Sequence, residues 1–300
     1  MNGRYSRILI AGCGDIGRRT GVLWKNRGYD VAGIVRSDDS VNRLRDMGIR
    51  AIRTDMDEPG DFDLSLIEES LLYYLAPPPG VGATDPRLQK FLNNISGISL
   101  PQAIIYMSTS GVYGDTGGEW VTEESPVNPG TERSQRRVDA ELTVRNWSME
   151  NDIPFALLRV PGIYGPGRVR LQRLQDRKPV LRREDAGWSN RVHADDLARI
   201  CVEVGLHGEP NNVYNAGDGN PTTVTDFYFT IADLLEWERP PTISMDEARE
   251  SMSAIRLSFL EESRRLDCTK LKEELGYEFL YPTVDEGLKA TLSEMGYLNP

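Results

Sequence analysis

The chain has 300 residues, of which 39% are hydrophobic, and this share argues against a fibrous or disordered protein. Its 46 acidic residues exceed its 35 basic residues, and the net charge of −11 disfavours nucleic acid as a partner because it repels a phosphate backbone. The three cysteines form no C-x-x-C pair and no apolar run reaches the length of a membrane span, so we expect a cytoplasmic protein with reduced thiols.

Apolar runs and helical patterns alternate along the first half of the chain. Alternation of this kind predicts an α/β fold with a doubly wound parallel sheet, the Rossmann architecture. We therefore expect residues 1–165 to form a dinucleotide-binding domain. Its predicted strands are 8–11, 30–35, 50–54, 71–75, 103–107 and 155–159, and its predicted helices are 16–26, 40–47, 87–96 and 132–151.

The regular alternation ends in a stretch rich in glycine and proline at residues 161–167. From there we expect residues 166–300 to form mainly a smaller α/β lobe that binds substrate, with residues 190–220 packing back on the first domain. The final helix should begin after Thr283, because Glu286 three residues on completes a capping box. Further helices are predicted at 195–206, 225–235, 268–275 and 284–295, and a short strand at 213–215.

The most informative local pattern is the G-x-G-x-x-G formed by Gly12, Gly14 and Gly17. It follows a predicted strand and opens a predicted helix, which is the context of a dinucleotide-binding turn. Small residues let the backbone approach a pyrophosphate, and the first amides of the helix, near Asp15 and Ile16, then face its oxygens. A glycine-rich turn without a ligand is the alternative.

The identity of the dinucleotide depends on the end of the second strand, where an acid binds the ribose of NAD or an arginine accepts the extra phosphate of NADP. Arg36 and Ser37 stand at this point, which favours NADP over NAD. Asp38 and Asp39 follow directly and could turn inward. Arg36 could also be an ordinary solvated charge at the end of a strand.

Several short sequence blocks occur in order along the chain. They are YMSTSGVYG at 106–114, LRVPGIYGPG at 158–167, RVHADD at 191–196, YNAGD at 214–218, LGY at 275–277 and DEGL at 285–288. Together these blocks resemble the extended short-chain dehydrogenase/reductases, the NAD-dependent epimerase/dehydratase group. The resemblance implies that Ala76 and Pro77 line the cofactor, that Asp55 lies near the adenine, and that Pro161 and Ile163 flank the nicotinamide.

The resemblance also assigns Thr109 the role of the family's catalytic hydroxyl, which binds the substrate oxygen; a simple cap of the strand end is the alternative. The family's Y-x-x-x-K proton relay is absent from this chain. Its aligned positions hold Thr131 and Gln135, and Arg133 with Arg137 is the nearest analogue. This departure resembles the atypical members of the group.

A different acid or base would then be needed. Tyr113 and Tyr164 are the nearest candidates in the sequence, followed by Glu123, Glu124 and His193.

A basic segment suggests the charge of the substrate. Residues 168–183 hold seven basic side chains against Asp176 alone, and arginine forks suit phosphates and carboxylates. We therefore predict a small anionic substrate, such as a nucleotide-diphosphate sugar or an acidic metabolite, bound by Arg168, Arg170 and Arg191. A solvated basic loop or an interface is the alternative.

No metal site is predicted. The acidic loop at 55–63 superficially resembles a calcium loop, but Leu66 occupies the position that requires a bidentate glutamate.

Together these features predict an NAD(P)-binding oxidoreductase or epimerase of the short-chain dehydrogenase type, with NADP as the preferred cofactor. The absent relay leaves open a module that senses NADP(H) without turnover. We expect a monomer or a homodimer.

Overall fold

The computed structural model describes residues 5–58, 63–97 and 99–298, so the middle of the acidic loop at 55–63 lies outside the described residues. Strands and helices alternate through the first half of the chain. The strands are β1 (Arg7–Ala11), β2 (Asp30–Val35), β3 (Arg50–Arg53), β4 (Ser70–Tyr74), β5 (Ala103–Thr109), β6 (Trp120–Val121), β7 (Phe155–Val160), β8 (Gly162–Tyr164), β9 (Val180–Leu181), β10 (Trp188–Ser189), β11 (Arg191–His193), β12 (Asn212–Asn215), β13 (Thr222–Thr223), β14 (Thr242–Ile243) and β15 (Arg265–Leu266). The α-helices are α1 (Asp15–Asn26), α2 (Asp38–Asp46), α3 (Pro86–Ile95), α4 (Glu132–Glu150), α5 (Gln172–Gln175), α6 (Ala194–His207), α7 (Val224–Leu234), α8 (Met245–Ser251), α9 (Ala254–Leu260), α10 (Thr269–Leu275) and α11 (Val284–Glu294).

A seven-stranded parallel sheet forms the centre of the molecule, in the order β12-β7-β5-β4-β1-β2-β3. This order confirms the predicted doubly wound fold. The chain leaves β1 toward one edge and returns to the other side of β1 at β4, so the connections diverge between these two strands. Ligands of such sheets bind in the crevice at the carboxyl ends of the strands, where the order reverses.

Alternating side chains of the sheet fill two apolar layers. Ile8 and Ile10 on β1 and Tyr73 on β4 pack in one buried cluster with residues of α1 and α6. Leu9 on β1 and Tyr74 on β4 face the opposite cluster, with α3 and α4. Because successive residues of a strand point to opposite faces, both faces of these strands are apolar and buried. This explains the continuous hydrophobic runs in the sequence.

The second half of the chain contributes both to the sheet and to a separate cluster. β12 pairs with β7 at the sheet edge. Beyond the sheet, α7 and α11 enclose a third apolar cluster that includes Phe227, Ile231, Leu288 and Leu292. Helix α11 begins as predicted, because Thr283 accepts a hydrogen bond from the Glu286 amide and forms a capping box.

Four small two-stranded sheets were not predicted: β6 with β15, β8 with β11, β9 with β14 and β10 with β13. Several of these strands have only two residues, too few to show a hydrophobic period. The β6–β15 pair fixes the chain near residue 264 to the first half of the chain. Among the described residues, no helix is both long and apolar enough to cross a membrane.

Candidate functional site

The turn between β1 and α1 forms a cradle of bare backbone. Gly12 has a φ of +80°, and a Cβ there would lie 2.5 Å from the backbone nitrogen of Ala76. A Cβ on Gly17 would lie 3.1 Å from Ile10 Cγ2, so the third glycine lets the helix pack against β1. Gly12 favours glycine because of its positive φ. At both positions, neighbouring atoms approach so closely that a side chain would be crowded.

Gly14 serves a different purpose, because it is the N-cap of α1 and provides no capping side chain. A Cβ built on it would meet nothing closer than Gly12 O at 3.9 Å, so the space in front of the helix is open. The first amides of α1 are therefore available to an anion, as they are in dinucleotide-binding turns. The cradle thus fits a diphosphate.

The side chains that follow the cradle are turned away from it. Ile16 is buried in the core, and the Asp15 carboxylate lies 3.1 Å from Arg19 Nε and 2.6 Å from Arg168 Nε. Burial acts to raise the pKa of Asp15, but the hydrogen bonds from Arg168 and Arg19 outweigh it and lower the pKa. The backbone at Asp15 can serve the diphosphate, while its side chain joins α1 to the segment around Arg168.

A cavity of about 320 Å³ opens from the cradle along the ends of β2 and β3. Its lining includes Arg36, Ser37 and Ser40 on one side and Asp55 on the other. Asp38 does not line it and lies 3.2 Å from Arg53 in an ion pair. The acid that could have turned toward a ribose is thus paired on the outer surface. Ala76, Pro77 and Arg87 complete the lining.

A second cavity, of about 570 Å³, adjoins the first, since Pro77 lines both. Thr109, Pro161 and Arg191 lie in its wall. Thr109 Oγ1 accepts a hydrogen bond from the Gly111 amide at 3.2 Å. The hydroxyl therefore caps the turn after β5 and still has its proton to donate, so the cap and the catalytic role are compatible.

The first two turns of α4 present arginines to this second cavity. Thr131 is the N-cap of the helix and accepts a hydrogen bond from the Ser134 amide, while Gln135 is exposed. Arg133 and Arg137, four residues apart and so on one face of the helix, both line the cavity. The side chains that face the cavity are thus the arginine pair, not the positions aligned with the relay.

Neither candidate tyrosine lines the two cavities. Tyr113 is buried, donates a hydrogen bond to Asn215 Oδ1 at 2.8 Å and accepts one from Arg159 Nη1 at 3.0 Å. Burial raises the pKa of Tyr113 to about 12. Tyr164 is also buried, and its hydroxyl donates to Thr283 O at 3.4 Å. Both tyrosines are placed to support the core.

The other predicted acids and bases also lie outside the lining of the two cavities. Glu123 Oε1 accepts a hydrogen bond from the Asn215 amide at 2.8 Å, Glu124 is exposed, and buried His193 lies 3.2 Å from Thr291 Oγ1. Burial lowers the pKa of His193 and raises that of Glu123. Ile163 packs against the core beside the cavity wall. Within the described ranges, no group of three or more side chains could hold a metal ion.

Comparison with known proteins places the chain in a family. Residues 8–217 match the family model described as the NAD dependent epimerase/dehydratase family. The chain belongs to this family. The match confirms the resemblance predicted from the sequence blocks.

Relatives of the family extend over nearly the whole chain. Protein YeeZ of Escherichia coli K12 is 26% identical over 288 residues, which cover 92% of this chain and 96% of YeeZ. A conserved protein of unknown function from Silicibacter pomeroyi has a TM-score of 0.83 at 26% identity, covering 96% of this chain and 99% of its own. UDP-glucuronic acid 4-epimerase from Bacillus cereus, solved with NAD, shares the fold with a TM-score of 0.75 at 21% identity and covers 98% of this chain and 100% of its own.

Several arginines of the basic segment of this family member form ion pairs within the chain. Arg168 pairs with Asp15, and Arg170 is exposed and does not line either cavity. Farther along, Arg183 pairs with Asp226 at 2.8 Å, and Arg177 pairs with Glu238. Much of the positive charge of the segment is therefore neutralised by surface and inter-segment ion pairs.

Sequence reasoning missed three charged residues of the second cavity, Arg136, Glu262 and Arg264. Glu262 Oε2 accepts a hydrogen bond from Arg264 Nη1 at 2.8 Å. Glu262 and Arg264 lie in the last fifth of the chain and belong to no recognisable local motif. The pairing of β15 with β6, together with hydrogen bonds of Arg264 to Gly114 and Asn190, brings them to the site.

Proposed function

We propose that this member of the NAD-dependent epimerase/dehydratase family is an NAD(P)-dependent oxidoreductase or epimerase for a small anionic or nucleotide-sugar-like substrate. The observation that carries the proposal is the pair of adjoining cavities, which leads from the bare amide cradle at Gly14 to the Thr109 hydroxyl. Relatives solved with UDP-sugars and NAD support the substrate class. In this proposal residues 1–165 bind the dinucleotide and residues 166–300 mainly bind substrate, in the cytoplasm.

NADP is the proposed cofactor. When bound, its nicotinamide would supply or accept a hydride. A 2′-phosphate would find the guanidinium of Arg36 and the hydroxyls of Ser37 and Ser40 in the wall of the first cavity. Asp38, the acid that follows Ser37, does not line this cavity and pairs with Arg53. Arginine suits a phosphate dianion because its planar fork donates two parallel hydrogen bonds.

Replacement of Arg36 by alanine is expected to weaken NADPH binding by about ten- to hundredfold, the usual value of a hydrogen-bonded contact to a charged group. NADH binding should change little, because NADH lacks the 2′-phosphate. Titration of the purified protein with each nucleotide measures both affinities. Arg43→Ala, an exposed arginine on α2, is the matched control. Tighter binding of NADH than of NADPH by the wild type would contradict the NADP assignment.

In the second cavity, the Thr109 hydroxyl would donate a hydrogen bond to the substrate oxygen whose charge changes during reaction, and would keep its proton. Glu262 is the one carboxylate among the described residues that line this cavity. Its Oε1 has no hydrogen-bond partner within the described chain, while Oε2 is held by Arg264. We assign Glu262 the role of accepting the proton of the substrate hydroxyl, and of returning it in the reverse direction, a role that the tyrosine of the relay performs elsewhere in the family.

Thr109→Ala should lower turnover by about a hundredfold or more, the typical loss when a positioned donor is removed from a reacting oxygen. NADPH affinity should be unchanged, and Thr109→Ser should retain most activity because it keeps the hydroxyl. The assay follows nicotinamide absorbance with a panel of nucleotide sugars and hydroxy acids. Binding of NADPH without turnover of any panel member would favour the sensing module instead.

A further inference from the structure

The charge of the second cavity is strongly unbalanced. Among the described residues that line it, five are arginines and one is a carboxylate, although the chain as a whole has a net charge of −11. The carboxylate is Glu262, whose ion-pair partner is Arg264. The cavity thus contains four further guanidinium groups without an ion-pair partner among the described residues: Arg133, Arg136, Arg137 and Arg191.

Arg133 is the least satisfied of these groups. Within the described chain it makes no hydrogen bond and no ion pair, and its guanidinium lies 3.8 Å from the centre of the Phe259 ring. Burial lowers the pKa of Arg133, the negative charge of Glu262 partly offsets this, and the positive charges of Arg264 and Arg136 lower it further. Its five donors are therefore free for a ligand, on a side chain already held in position by an aromatic ring.

Arg137 lies one helical turn farther along the same face of α4. It donates a hydrogen bond to Met107 O on β5, two residues before Thr109, and lies 5.2 Å from the Tyr106 ring centre. This anchor holds the guanidinium next to the strand that ends in Thr109 and leaves donors unused. Arg133, Arg137 and Thr109 all line the one cavity.

Arg136, Arg191 and Arg264 each make at least one hydrogen bond but are only partly satisfied. The Nε atoms of Arg136, Arg191 and Arg264 are buried and have no partner among the described residues. Burial also lowers the pKa of Arg191 to about 10, although the negative charge of Asp218 acts to raise it. Half-buried charges without counter-ions are costly, so a cluster of them is best explained by a bound anion.

We propose that Arg133 and Arg137 form a binding subsite for a carboxylate or phosphate group of the substrate, adjacent to the oxygen that Thr109 binds. A guanidinium stays protonated near neutral pH, so the pair cannot act as an acid or base in place of the relay. It is suited to binding an anion. The proposal deepens the proposed function, on which the role of Thr109 rests. It makes the substrate an acid or a phosphate ester near its reacting carbon, not a neutral sugar ring at that point.

The test uses malonate and inorganic phosphate as probes, titrated by calorimetry into the full-length protein. Arg133→Gln and Arg137→Gln should each weaken binding of at least one probe by about tenfold or more, as expected for charge-assisted hydrogen bonds. A larger effect on malonate would identify the ligand group as a carboxylate, and a larger effect on phosphate would identify it as a phosphate. Arg145→Gln is the matched control, because Arg145 lies on the same helix and also stacks on a ring, that of Phe155, at 5.3 Å.

Equal probe affinities in the wild type, Arg133→Gln and Arg137→Gln would overturn the subsite, as would an equal loss in Arg145→Gln or no probe binding by the wild type. Should Arg137→Gln unfold, Arg137→Lys serves as the second variant, because it keeps the positive charge. It should lose part of the affinity for the probes, since lysine lacks the planar donor fork of arginine. NADPH binding, measured on the same proteins, should be unaffected. If neither the wild type nor any variant bound NADPH while binding of the probes still depended on Arg133, the proposed function would fail and the subsite would stand.

Discussion

Replacement of Gly14 by aspartate is expected to abolish dinucleotide binding and to leave the fold intact. Gly14 has a φ of −77°, outside the left-handed region, and a ψ of −145°, and a Cβ there would meet no atom closer than 3.9 Å. Aspartate is also a favoured N-cap, so its carboxylate would bond the amides at the start of α1. The diphosphate would then meet a negative charge where it needs donors, and affinity for NADPH should fall by about a hundredfold or more.

Fluorescence titration with NADPH measures the affinity, and thermal unfolding checks the fold. The melting temperature should stay the same or rise, because the new side chain caps a helix that lacks a capping side chain. Gly14→Ala is the control: it adds the Cβ without the charge and should lose much less affinity. If Gly14→Asp bound NADPH as tightly as the wild type, the amide cradle would not be the binding site.

Glu141→Ala is expected to reduce the free energy of unfolding by about 3–5 kcal/mol, the loss typical of breaking a buried ion pair from one side. The side chains of Glu141 and Arg159 are only 5% and 6% exposed, and Glu141 Oε2 lies 2.9 Å from Arg159 Nη2. Ser108 Oγ also donates to Glu141 Oε1 at 2.6 Å. Alanine would leave the guanidinium of Arg159 buried without its counter-ion.

Urea denaturation of the purified variants measures this effect. The double variant Glu141→Leu with Arg159→Met provides the control, since it removes both charges and keeps apolar volume. It should be more stable than Glu141→Ala, because no unpaired charge remains. A loss of less than about 1 kcal/mol in Glu141→Ala would show that the pair is not buried as the structure describes.

The sheet and the cradle could be predicted because their signals are local. The apolar run before Gly12 and the glycine spacing depend on neighbouring residues alone, and the bounds of the long helices differ from prediction by at most two residues. The role of Arg168 could not be predicted. A local excess of positive charge looks the same whether it binds a ligand or, as here, pairs with Asp15 far away in the sequence.

The second cavity was only partly predictable for the same reason. Thr109 and Pro161 belong to blocks that can be recognised in the sequence. Arg133 and Arg264 meet only because α4 and the chain beside β15 pack together, and no pattern relates residues so far apart. The alignment of the relay with Thr131 and Gln135 also missed the face of α4 that looks into the cavity, since Thr131 serves as the helix cap.

The pairing of β15 with β6 has a consequence for when the second cavity can form during synthesis of the chain. Gly14, Arg36 and Arg87, which surround the first cavity, all emerge early from the ribosome, whereas Glu262 and Arg264 follow near the end. Folding during synthesis usually starts with the amino-terminal part. A nascent chain can therefore complete the first cavity while the carboxylate proposed to accept the proton has yet to be translated.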